Sequence, residues 1–71
     1  MSQSVKNFVQ NYRSKNKVTQ EELASSVGVT RQTIIAIEKG NYTPSVLLAL
    51  KIAKYFHTTV EKLFTIDSYD H

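Results

Sequence analysis

The sequence predicts an all-α fold, with five short helices around one core, and three observations carry that expectation. Apolar residues recur at helical spacing in successive short segments. A hydroxyl residue (Thr19, Thr30, Ser45 or Thr59) stands just before each of the last four segments, where an N-cap is needed. No run alternates apolar and polar residues as a half-buried strand should. Seventy-one residues make one small domain. The expected division is a core over about 4–64 and a short tail, 65–71, frayed or partly extended.

The first helix is expected over 4–15. Val5, Phe8, Val9 and Tyr12 fall at i, i+3, i+4 and i+7, on one face, and Asn16 tolerates the left-handed conformation of a helix stop. Thr19 with Glu22 makes a capping box for a second helix, 20–27, which buries Leu23, Ala24 and Val27 and stops at Gly28. Thr30 caps a third, 31–39, ended by Gly40. The segment 41–44 is a loop. Ser45 caps a fourth helix, 46–56, apolar on nearly every side, and Thr59 caps a short fifth ending near Phe64.

Composition narrows the function classes. There is no Cys, and His57 and His71 are isolated, so no ligand set for a metal exists. No paired carboxylates, nucleophile–base arrangement or phosphate-cradling glycine loop appears, so no enzyme, cofactor or small-molecule ligand is expected. The N-terminus lacks the apolar region of a signal peptide, and the longest apolar run, 46–50, is too short for a bilayer. No membrane association is expected, and the expected location is cytoplasmic. Nine basic and four acidic side chains fall within 1–64, while Asp67 and Asp70 make the tail acidic. A modestly basic small domain suits a polyanionic partner.

Residues 19–34 carry the functional reading. Ala24 is small where a second helix must approach, Gly28 permits a sharp turn, and Val29, Ile34 and Ile37 give apolar contacts across it. Two helices set steeply across a tight turn form a helix-turn-helix; an αα-hairpin without a DNA role is the alternative. At about 100° per residue, Thr33, Ile34 and Ile37 of the third helix face the core. The opposite side carries Arg31, Gln32, Ile35, Ala36 and Lys39, with no acid. Arg suits guanine, Gln suits adenine, and Ile35 or Ala36 can meet a thymine methyl.

The stretch VTQEELASSVGVTRQTIIAIEKGNYTPS, with Arg13 upstream and LKIAKYF and TTVEKLF downstream, resembles the Cro/C1-type (XRE-like) helix-turn-helix regulators, phage repressors among them. The resemblance covers about residues 5–64. It implies a lambda-repressor-like bundle of about five helices whose third enters the major groove, in a dimer on a two-fold symmetric operator, in a bacterial or phage-like setting. By position, it implies base contacts from Arg31, Gln32, Ile35 and Ala36. It assigns backbone contacts to Gln20 and Thr30 and to Lys39, Asn41, Tyr42 and Thr43, with Lys17 as a further phosphate contact. Gln20 matches a Gln that also supports the neighbouring recognition residue. Arg13 and Glu38 match a common ion pair between helices 1 and 3. Where the family often has Gly, this chain has Lys17, so Asn16 is expected to supply the stop.

One recognition helix reads too few base pairs to select an operator among competing sites, so a homodimer on double-stranded DNA is expected. Its interface is sought among Leu48, Tyr55, Leu63, Phe64 and Ile66, with ordinary core as the alternative for each. The expected function is a sequence-specific transcriptional regulator, most simply a repressor. An antitoxin-like module that sequesters a partner protein is the alternative. No ligand-sensing domain is expected, which leaves control to protein concentration, a partner or conditions that shift the dimer equilibrium.

Overall fold

The computed structural model describes residues 3–68; Asp70 and His71 of the tail lie outside the described residues. The elements run β1 (Gln3–Asn7), α1 (Val9–Lys15), α2 (Gln20–Val27), α3 (Arg31–Glu38), α4 (Val46–Tyr55), α5 (Val60–Leu63) and β2 (Phe64–Ser68). The four later helices start where their caps place them. Thr19, Thr30, Ser45 and Thr59 each accept a hydrogen bond from the backbone N–H three residues on. In the capping box, Glu22 Oε1 accepts from the Thr19 N–H at 2.8 Å. That N–H, and then the Thr19 hydroxyl, hold the Glu22 carboxyl below its ordinary pKa. The stability contributed by the carboxylate half of the box is therefore present above the ordinary Glu pKa and lost as pH falls through the lowered one.

The purely helical expectation fails at both ends. Residues 3–7 form a strand rather than the first turns of helix 1, and they pair antiparallel with β2, Val5 opposite Ile66. Residues 65–68 of the tail are extended, as one of the two expectations had it, and they are paired rather than frayed. The pairing satisfies backbone groups that a lone extended end would leave to water, and β-branched Val5, Thr65 and Ile66 suit a pleat. Asn7 fixes the junction: its Oδ1 accepts the Val9 N–H at 3.2 Å, opening α1, while its Nδ2 donates to the Ile37 carbonyl at 2.8 Å. The Phe8 N–H donates to the Leu63 carbonyl at 2.8 Å, so the start of α1 and the end of α5 are tied together.

The left-handed stop after α1 also sits one residue later than expected. Asn16 has φ −95°, whereas Lys17 has φ +57°. For a side chain with a Cβ this conformation costs about 1–2 kcal/mol. It is held by bonds from the Lys17 N–H to the Ser14 carbonyl and from the Val18 N–H to the Arg13 carbonyl. Arg13 Nη1 adds a third, to the Val18 carbonyl at 3.0 Å. At Gly28, φ is +78° and an added Cβ would meet nothing within 4 Å, so backbone conformation rather than space calls for glycine there.

The core gathers side chains from every helix. Val9, Leu23, Ile34, Ile37, Ile52 and Leu63 are fully buried, each worth about 1.5–3 kcal/mol against leaving it exposed. Tyr12 packs on Phe56 and its hydroxyl reaches the Thr58 hydroxyl at 3.1 Å. Helix α4 divides cleanly: Leu48, Ala49, Ile52 and Ala53 face inward, while Val46, Leu47 and Leu50 are 77%, 63% and 53% exposed. This removes Leu48 and Leu63 from the candidate interface, because both lie in the core of a single chain.

Candidate nucleic-acid interface

Four local features aim α3. Gly28 turns the chain out of α2, and the Val29 N–H bonds back to the Ala24 carbonyl at 3.0 Å. Thr30 then starts α3 at once, and Ile34 and Ile37 seat one face in the core. Gly40, at φ +80°, closes the helix, with the Asn41 N–H on the Ala36 carbonyl at 2.9 Å. The first turn of α3 is left to project outward.

On that turn Arg31 and Gln32 are exposed, as are Thr30 before them and Lys39, Asn41, Tyr42 and Thr43 after the helix. Lys17 is exposed on the α1–α2 turn. Ile35 and Ala36 are half-buried, so they stand at the edge of the face rather than on it, and Thr33 is half-buried instead of core.

Behind the exposed turn lies a polar chain of contacts. Arg13 meets Glu38 through two bonds, Nε to Oε2 at 2.8 Å and Nη2 to Oε1 at 3.2 Å. Their side chains are 15% and 5% exposed. Gln20 Nε2 donates to Glu38 Oε1 at 3.0 Å, and Gln20 Oε1 accepts from Arg31 Nε at 3.4 Å. The only acid of α3 is thus covered from two sides by donors, which removes a charge that would repel phosphates. Arg13, Thr19, Gln20, Glu21 and Arg31 together border an open polar recess. Asn7, through its bond to the end of α3, is a positioning residue that sequence reasoning missed. Its signal was there in an Asx side chain two residues before a helix-starting Val9.

The candidate interface residues that stay accessible do not share one surface. Phe64 lines an apolar groove with Val5, Pro44, Val46 and Val60, and Ile66, two residues on in the same strand, is 73% exposed. Tyr55 instead borders Glu21, Glu22 and Ser25 of α2. Among the described residues, no helix is long and apolar enough to cross a membrane.

A compact helical bundle that presents the first turn of its third helix beside the start of its second is a helix-turn-helix domain, the DNA-binding class. A helix-turn-helix family model matches residues 9–63. The chain belongs to that family, the XRE-type helix-turn-helix transcriptional regulators. An uncharacterized HTH-type transcriptional regulator of Methanocaldococcus jannaschii is 55% identical over 60 residues, covering 84% of this chain and 91% of its own. The cryptic phage CTXphi transcriptional repressor RstR of Vibrio cholerae is 31% identical over 55 residues, covering 78% of this chain and 50% of its own. Among solved structures, the restriction-modification controller protein C.AhdI of Aeromonas hydrophila superposes with a TM-score of 0.73. It is 27% identical and covers 79% of this chain and 85% of that one. Relatives from sources this different do not assign the chain to a bacterial or phage setting.

Proposed function

We propose that the protein is a sequence-specific transcriptional regulator that binds a two-fold symmetric operator as a homodimer and represses by occluding a promoter. The observation that carries the reading is the pairing of exposed Arg31 and Gln32, on a turn aimed by the core, with a Glu38 carboxylate covered by Arg13 and Gln20. Arg31 is the guanine reader and Gln32 the adenine reader, with Ile35 and Ala36 as minor apolar contacts at the edge. Lys17, Gln20, Thr30, Lys39, Asn41, Tyr42 and Thr43 face the phosphates and set register without reading sequence. The name of the RstR relative supports the repressor role.

A second copy is seated on the apolar groove, against Phe64, Val5 and Val46, with exposed Ile66 beside Val5 on the paired strand. Dimerisation doubles the sequence read and spaces two recognition helices about 34 Å apart. The protein acts where the DNA is, in the cytoplasm.

Two substitutions separate base reading from phosphate contact. Gln32→Ala is expected to lose about 1–3 kcal/mol on the selected site and little on random duplex. Lys39→Ala is expected to weaken every sequence alike and lower the salt slope by about one. Fluorescence anisotropy on both duplexes across a salt series measures both. Equal losses from Gln32→Ala on the two duplexes would remove its base-reading role.

A further inference from the structure

The Gln20 side chain lies between two partners of opposite character. Glu38 offers it only acceptor oxygens, and Arg31 offers it only donors. Its amide therefore has one orientation that satisfies both: Nε2 toward Glu38 Oε1 at 3.0 Å and Oε1 toward Arg31 Nε at 3.4 Å. Glu38 cannot yield its place, because Arg13 holds the same carboxylate at both oxygens. With its side chain only 5% exposed, Glu38 has little water to turn to instead.

We propose that Glu38, acting through the Gln20 amide, is a specificity-determining positioning residue for the base that Arg31 reads. This rests on the base-reading role of Arg31 given above. A carboxylate at 38 fixes an acceptor at 20, and an acceptor at 20 demands a donor at 31. Anchored through Nε, Arg31 keeps its two Nη groups free as a fork for the O6 and N7 of guanine. Without the anchor, the side chain spreads over more rotamers and its preference for that base pair falls.

The donor logic can be reversed and restored. In Glu38→Gln, the new amide keeps its oxygen on Arg13 and turns its N–H toward Gln20. Gln20 must flip, so an N–H faces Arg31 Nε and the anchor is lost. In the double variant Glu38→Gln/Gln20→Glu, the amide at 38 donates to a carboxylate at 20, whose second oxygen again accepts from Arg31. The net charge equals that of the wild type. Gln20→Ala removes the anchor and one donor to Glu38 but leaves both Arg13–Glu38 bonds in place, so it tests the idea even if Glu38→Gln folds poorly.

The experiment measures affinities of wild type and variants for the selected site and for the same duplex with each base pair changed in turn. The base pair read by Arg31 is the one at which Arg31→Ala abolishes preference. Glu38→Gln and Gln20→Ala are expected to reduce discrimination there by about tenfold, the scale of one bidentate contact, and to leave the base pair read by Gln32 unchanged. The double variant is expected to return discrimination to within about threefold of wild type. Discrimination at that base pair unaltered in Gln20→Ala would overturn the proposal, as would a folded double variant that restores none of it. A wild type that prefers no sequence would overturn the base-reading function itself, a different failure visible in the same data.

Discussion

Arg13→Ala is expected to lower the stability of the domain by about 3–5 kcal/mol, the cost of leaving a buried charge without its partner. The Glu38 carboxylate would stay behind, 5% exposed, with Gln20 as its remaining donor. The Val18 carbonyl would also lose Arg13 Nη1, at the turn where Lys17 already holds a left-handed conformation. A chain of this length has a total stability of about 4–11 kcal/mol, so the loss takes about a quarter of it or more. With a urea slope of about 1 kcal/mol/M for so small a domain, the midpoint falls by several molar. A shift of under about 1 kcal/mol would mean that the pair behaves as an exposed one.

Leu63→Ala is expected to cost about 2–5 kcal/mol, the range for emptying a buried leucine site. Leu63 is fully buried, and its carbonyl holds the Phe8 N–H at the seam between the helices and the sheet. The protein concentration decides what the loss means. A core residue gives the same loss when the protein is diluted until it is monomeric, because the cavity lies within one chain. An interface residue gives a loss that vanishes on that dilution. Urea unfolding of wild type and variant at two widely separated concentrations makes the distinction, and a loss that disappears on dilution would return Leu63 to the interface.

Local chemistry was legible in the sequence, and long-range pairing was not. The limits of α2 and the starts of α3, α4 and α5 follow from Thr19, Thr30, Ser45, Thr59 and Gly28, each acting on backbone within a few residues. The partner of Arg13 at Glu38 was indicated by family resemblance, not by spacing. The strands escaped because Val5 fits the helical stripe of Phe8, Val9 and Tyr12, while its true neighbour, Ile66, lies at the other end of the chain. The alternation of Phe64, Thr65, Ile66 and Asp67 was the visible signal, but a strand of five residues shows little without its partner. Helix α4 is apolar nearly all round, so sequence alone could not tell inward Leu48 from outward Leu47 and Leu50. The Gln20 link to Glu38 depends on how α2 and α3 cross, which only the packed core sets.

Base-specific, two-fold recognition is tested most directly by selecting binding sites from random duplex DNA with the full chain. The expected result is one enriched motif with two-fold symmetry and half-site centres about one DNA turn apart, roughly 34 Å. Its preferred bases should be lost position by position in Arg31→Ala and Gln32→Ala. An enriched single half-site would contradict the dimer. Failure to enrich any motif, with binding that depends only on salt, would contradict sequence reading by α3.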